Sequence, residues 1–223
     1  MNKLVIITGT TRGLGLALMN KLIIEKGYDI LSISKSAPKM ETDAKFRHLN
    51  LDFSEFPQSY FFDELGSITS HYNEVILINN AFTIIPIQKI GTMNSFDVQN
   101  ALFVNVVTPT LLINRILQFC LDRNLTIINI TSGAAKKPIE SWSIYSASKA
   151  YMEMLVQSIQ NDYVNSSSLK VLNFEPGVID TSMQEQIRNS TSEMASLFKD
   201  LKNRNKLKSA EDVALEVLSH IKQ

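Results

Sequence analysis

Three of the chain's eight glycines, Gly9, Gly13 and Gly15, fall within one stretch of seven residues near the N-terminus. A sequence so sparing with glycine, at about half the usual share, concentrates it where the backbone needs freedom. Just before the cluster, Leu4-Val5-Ile6-Ile7 is a short β-branched run of the kind that forms a strand buried on both faces. Just after it, Leu14, Ala17, Leu18 and Leu22 recur at helical spacing, with Gly27 as the expected helix stop. Ile30-Leu31-Ser32-Ile33 is the next strand. Strand, glycine turn, helix and strand make a βαβ crossover, which joins parallel strands.

The alternation continues to the end of the sequence. Phe46 to Leu51, Val75 to Ile78, Leu125 to Ile130 and Lys170 to Phe174 read as four more strands. Helical patterns occupy residues 56–72, 95–120 and 145–163, with Pro109 expected to disturb the second. A last amphipathic helix follows Ser209, its expected N-cap. Six strands alternating with helices predict an α/β fold of Rossmann type, a doubly wound parallel sheet in the order 3-2-1-4-5-6. Ligands of such a sheet lie beyond the carboxyl ends of its strands. Residues 1–223 read as a single domain, and the polar stretch 180–208 as a lid over a substrate.

Composition narrows the functions. The chain is 44% apolar with 22 basic and 22 acidic residues, which excludes disorder and gives no charge footprint for nucleic acid. No uninterrupted apolar run reaches about 18 residues, so no membrane span is expected. The N-terminal apolar segment is too short for a signal peptide. Cys120 is the single cysteine, which fits a reducing compartment, and a cytoplasmic location is expected. His48, His71 and His220 are scattered and show no metal-ligand spacing.

The turn Thr8-Gly9-Thr10-Thr11-Arg12-Gly13-Leu14-Gly15 has two readings: a pyrophosphate cradle at a helix N-terminus, or a tight structural turn. About 20 residues on, where an acid would bind the ribose of NAD, the chain has Ser34-Lys35-Ser36, and the nearest acids are Asp29 and Glu41. A cation and hydroxyls there, with Arg12, suit the 2′-phosphate of NADP; the other reading of Lys35 is a solvated surface side chain.

Tyr145 and Lys149 stand at i and i+4, on one helix face. Alone, that spacing usually marks an exposed surface. With an ammonium nearby, a phenol becomes more acidic and can serve as an acid toward a carbonyl oxygen. Ser132, 13 residues before Tyr145 at a strand end, can bond the same oxygen.

Taken together, the glycine turn, Asn79-Asn80-Ala81-Phe82, Asn105, Ser132, Tyr145, Lys149 and Pro176-Gly177 resemble the short-chain dehydrogenase/reductase family along nearly the whole chain. The segment Pro176 to Gln184 is similar to that of members such as sepiapterin reductase and the bacterial benzil reductases. The resemblance implies an NADPH-dependent reductase of ketones or diketones. NADP(H) would be held by Gly9, Thr11, Arg12, Gly13, Leu14 and Gly15, then by Ser34, Lys35, Leu51 and Asp52 on the adenosine side. Asn80, Ala81, Phe82, Tyr145, Lys149, Pro176, Gly177, Val178 and Thr181 would complete its site. The catalytic set would be Ser132, Tyr145, Lys149 and Asn105, the last holding a water that leads protons to Lys149. Ser132, Trp142, Asp180 and Met183 would meet the substrate; for Trp142 packing stands as the second reading, and for Asp180 bracing of the lid. A homodimer through helices 95–120 and 145–163 is also implied.

Two features depart from the family. Phe82 stands where the motif Asn-Asn-Ala-Gly has glycine, and no seventh strand follows the sixth. These departures leave a second reading open, a catalytically impaired NADP-binding sensor or scaffold on the same fold.

Overall fold

A computed structural model describes residues 2–25, 27–38, 45–190, 192 and 194–221. Glu41 lies outside the described residues. The strands are β1 (Lys3–Thr8), β2 (Asp29–Ser34), β3 (Phe46–Asn50), β4 (Glu74–Asn79), β5 (Asn124–Ile130) and β6 (Leu169–Phe174). The helices are α1 (Gly13–Glu25), α2 (Ser59–Thr69), α3 (Ser95–Leu102), α4 (Thr108–Cys120), α5 (Ser143–Asp162), α6 (Ser182–Arg188), α7 (Met194–Asn203) and α8 (Ala210–Ser219). All neighbouring strands pair in parallel, in the order β3-β2-β1-β4-β5-β6. The Rossmann-type sheet therefore stands as expected.

Both faces of the sheet are dry because the middles of the central strands β1 and β4 are apolar on both sides. Leu4, Ile6 and Leu77 enter one layer with α2, α4 and α5, while Val5, Ile7 and Ile76 enter the other with α1 and α8. Each such fully buried side chain stabilises the fold by about 1.5–3 kcal/mol. Ser209 caps α8 as its sequence position suggested, accepting the Asp212 N–H at 3.0 Å. Gly27 follows α1 without the left-handed conformation expected of a helix-stopping glycine.

The stretch Ser95–Cys120 has the length and apolar character of a membrane-crossing helix. Here it works as a core helix. A π-helical turn, Phe103–Val107, separates α3 from α4, and Leu112, Ile113, Ile116 and Cys120 lie in the sheet core. Pro109 sits in the first turn of α4, where its missing N–H is tolerated. The irregularity expected from this proline falls in the turn just ahead of it.

A polar row crosses the carboxyl end of the sheet. Asn79 Nδ2 donates to Asn129 Oδ1 at 2.9 Å, and Asn129 Nδ2 donates to Asn173 Oδ1 at 2.8 Å. Asn173 Nδ2 in turn reaches the carbonyl of Glu153 on α5 at 3.3 Å.

Two helices, α6 and α7, occupy most of residues 180–208. The ends of that segment are stitched together: Lys208 N donates to Val178 O at 2.9 Å, and Asp180 N donates to Lys208 O at 3.0 Å. β6 is the outermost strand, and the end of α8 lies against it. Lys170 Nζ donates to His220 O at 2.9 Å, and the Phe174 and His220 rings meet edge to face.

Candidate active site

The carboxyl ends of β1, β4 and β5 open into a cleft of about 430 Å³. This is where strand order reverses along the sheet, the usual ligand position of such folds.

The turn after β1 is locked to the turn after β4. Thr8 Oγ1 accepts the N–H groups of Asn80 and Ala81, each at 2.9 Å, and Asn80 Nδ2 donates to the carbonyls of Thr8 and Gly9. Glycine is required twice in this contact. Gly9 has φ +72°, and a Cβ there would lie 2.9 Å from Ala81 Cα. A Cβ on Gly15 would lie 2.2 Å from Gly9 O. Thr11, Arg12, Gly13 and Leu14 line the cleft, at the N-terminus of α1. Gly15 does not: expected among the cofactor contacts, it instead lets α1 press against the backbone of its own turn.

At one end of the cleft stand Ser34, Lys35, Leu51 and Asp52. Lys35 and Asp52 form an ion pair. Partial burial by itself raises the Asp52 carboxyl, but the Lys35 ammonium and the Ser54 hydroxyl and N–H leave it below the usual value.

The opposite end is dry. Tyr145 and Lys149 are 7% and 3% exposed, so their face of α5 points inward, not to solvent. Lys149 Nζ donates to Ile130 O at 2.6 Å, and Thr131 Oγ1 donates to Glu153 at 2.7 Å. These bonds fasten the end of β5 to two successive turns of α5. Ser132 lines the cleft beside them, its Oγ accepting Ala134 N–H at 3.2 Å. The expected acidification of Tyr145 by Lys149 does not occur. Burial pushes the phenol up to about 12, and the Ser132 hydroxyl, not Lys149, pulls the other way. The ammonium lies 5.7 Å from the Tyr145 ring centre but only 3.2 Å from that of Phe82. Burial also pushes Lys149 well below the ordinary lysine value, partly opposed by Glu153.

Asn105, expected from the family resemblance to hold a water, turns its side chain to backbone. It is fully buried and outside the cleft lining. Its amide clamps the chain after β4, accepting Thr83 N–H and donating to Thr83 O, both at 2.8 Å. Both polar atoms of the side chain are thereby engaged by backbone.

Pro176, Gly177, Val178, Thr181, Trp142 and Met183 line the cleft under α6 and α7. Trp142 meets Tyr145 edge to face at 5.7 Å and stacks on Phe198 of α7 at 5.8 Å. Trp142 Nε1 and Gln184 Oε1 are buried without hydrogen-bond partners among the described residues. Asp180 corrects the expectation of a substrate contact: outside the lining, it pairs with Arg188 at 3.3 Å and Lys202 at 3.5 Å, bracing α6 to α7. Ile187 lines the roof of the cleft and Phe198 backs it; sequence reading assigned neither to the site. The spacing of Met194, Phe198 and Leu201, at i, i+4 and i+7, carried the signal for a packed helix there.

The model of the short chain dehydrogenase family matches residues 3–192. The chain belongs to that family. It is 31% identical over 227 residues to a Bacillus subtilis benzil reductase ((S)-benzoin forming), covering 97% of this chain and 92% of the relative. Sepiapterin reductase of Bos taurus is 30% identical over 152 residues, 65% of this chain and 56% of that protein. The crystal structure of the short-chain dehydrogenase/reductase YIR035C from Saccharomyces cerevisiae superposes with a TM-score of 0.80 at 20% identity, over 94% of this chain and 86% of that one. This short-chain dehydrogenase is thus an oxidoreductase of the CH–OH/C=O class that uses a nicotinamide cofactor and a small-molecule substrate. The site fits such a dinucleotide. Its glycine turn leaves space where a Cβ would collide, and it faces a helix N-terminus.

Proposed function

We propose that this short-chain dehydrogenase reduces ketones and diketones with NADPH. The observation that carries the reading is the convergence of Ser132, Tyr145 and Lys149 at the buried end of the cleft, beneath α6 and α7. The glycine turn and the N-terminus of α1 would hold the pyrophosphate, and Arg12 and Lys35 a 2′-phosphate. Lys149 would face the nicotinamide ribose, and Pro176 to Thr181 the nicotinamide. Bound NADPH supplies the hydride.

The raised pKa of Tyr145 suits an acid. At neutral pH the phenol is neutral and keeps its proton for a stronger base, the alkoxide oxygen of the reduced carbonyl. Ser132 donates a hydrogen bond to that oxygen and orients it toward the phenol. As the proton leaves, the Ser132 hydroxyl, the neighbour that pulls the phenol downward, stabilises the phenolate that remains. Residues 180–208 act as the lid, with Met183 and Trp142 shaping an apolar chamber that excludes water. A homodimer through helices 95–120 and 145–163 belongs to the same reading, supported by the exposed Phe96, Leu102, Tyr151 and Met154. So does a reducing cytoplasm, supported by the buried free thiol of Cys120.

The test is the loss of reduced-nicotinamide absorbance with a panel of aromatic and aliphatic 1,2-diketones. Oxidation of NADPH at about tenfold or greater preference over NADH is expected, equivalent to about 1.4 kcal/mol. Dinucleotide binding without oxidation across the panel would overturn the reading and leave a sensor on this fold.

A further inference from the structure

The Lys149 ammonium lies 3.2 Å from the centre of the Phe82 ring, far nearer than the Tyr145 ring at 5.7 Å. The Phe82 backbone has little freedom. On one side Asn80 and Ala81 are bonded to Thr8; on the other Thr83 is clamped by Asn105. The ring packs between the sheet core and the aromatic cluster of Trp142, Tyr145 and Phe198. An ammonium has three N–H donors. Among the described residues the hydrogen-bond acceptor found for Lys149 is Ile130 O. Glu153, the carboxylate whose charge acts on Lys149, accepts the Thr131 hydroxyl. The face of Phe82 is therefore the nearest aromatic neighbour of a cation that is 3% exposed. Phe82 and Lys149 both line the cleft.

We propose that Phe82 is an internal cap on Lys149: its ring occupies the cleft side of the ammonium, and a ligand hydroxyl reaches the ammonium only when the ring turns away. The inference rests on the dinucleotide reading given above. In that setting Phe82 is a positioning residue. It solvates the cation in the resting cleft and competes with the ribose hydroxyls for it. A glycine at this place would leave the ammonium open.

Binding can be read without turnover, because Trp142 is the chain's one tryptophan and lines the cleft. Energy transfer from Trp142 to the reduced nicotinamide reports NADPH affinity and association rate. Phe82→Leu removes the aromatic face while retaining bulk. Replacement of Phe82 by 3,4,5-trifluorophenylalanine retains the ring and drains its face of charge. Both are expected to tighten NADPH by about two- to thirtyfold, the range of a cation–π contact, and to speed association. Phe82→Tyr keeps the face and is expected to match the wild type within about twofold.

Equal or weaker binding by both the leucine and the trifluoro variants would overturn the cap. So would tightening by leucine alone, which would assign the effect to bulk. Should leucine fail to fold, as judged by thermal melting, the isosteric trifluoro variant decides by itself. Absence of NADPH binding in the wild type and every variant would overturn the dinucleotide reading and the cap with it, whereas equal affinities overturn the cap alone.

Discussion

The two ends of the cleft each carry a lysine, and the two lysines behave oppositely. Lys35 has a side chain 78% exposed and pairs with Asp52, whose carboxylate pushes its pKa up. Lys149 is 3% exposed and is pushed down by burial. The residue type is the same; access to water decides its behaviour. An exposed pair is weak and readily exchanged, so Lys35 can pass from Asp52 to a phosphate. A buried cation must be neutralised, bonded or capped where it stands, and the dry end supplies Ile130 O, Glu153 and the Phe82 ring. In the proposed reading the wet end would select among ligands by charge and the dry end would move a proton.

Three experiments press on that division. The largest effect is expected from Tyr145→Phe. Turnover should fall about 10²–10⁴-fold, the range for loss of a general acid, while NADPH binding read from Trp142 stays within about twofold. Turnover near the wild-type rate would remove the dry end from the chemistry.

Lys149→Met should be inactive yet more stable at neutral pH. The folded pKa of Lys149 lies below its unfolded value, so between the two the folded state holds fewer protons. Wild-type stability therefore contains a contribution that rises as pH climbs from the folded pKa toward the ordinary lysine value. Methionine erases that rise. It should also raise the melting temperature at pH 7 by about 2–4 °C per kcal/mol recovered, with about 1 kcal/mol expected. A lower melting temperature would mean that its neighbours more than compensate the buried charge.

The smallest effect belongs to Lys35→Ala. NADPH affinity should drop about tenfold and lose part of its salt dependence, with NADH affinity nearly unchanged. Equal losses for both dinucleotides would show that the wet end does not recognise the extra phosphate.

Patterns that depend on neighbours in sequence were legible: the strand order, the glycine turn, and the shared face of Tyr145 and Lys149. Functions that depend on how the chain folds back onto a partner were not. Asp180 is answered by Arg188 and Lys202, Asn105 by Thr83, and Gly15 by the carbonyl of Gly9. Nothing local in those residues announces the partner. The acidity of Tyr145 was misjudged for a related reason. Spacing places an ammonium one helical turn away, but burial depends on the whole fold, and here it outweighs the charge. Phe82 was visible as an oddity of sequence; its contact with Lys149 is a property of three dimensions.

The amides of Asn79, Asn129 and Asn173 form a single file in which the first two each hand an N–H to the next strand and the last hands its own to α5. They stand opposite one another in the strand pairing, on the face that otherwise carries Val75, Ile127 and Val171. A one-step slip of any of these strands would swing its amide to the other face, among Ile78, Ile128 and Phe174, with no companion to bond. The file thus works as a vernier: it admits one alignment of three otherwise interchangeable greasy ribbons, and so fixes the height at which the reacting groups above them meet.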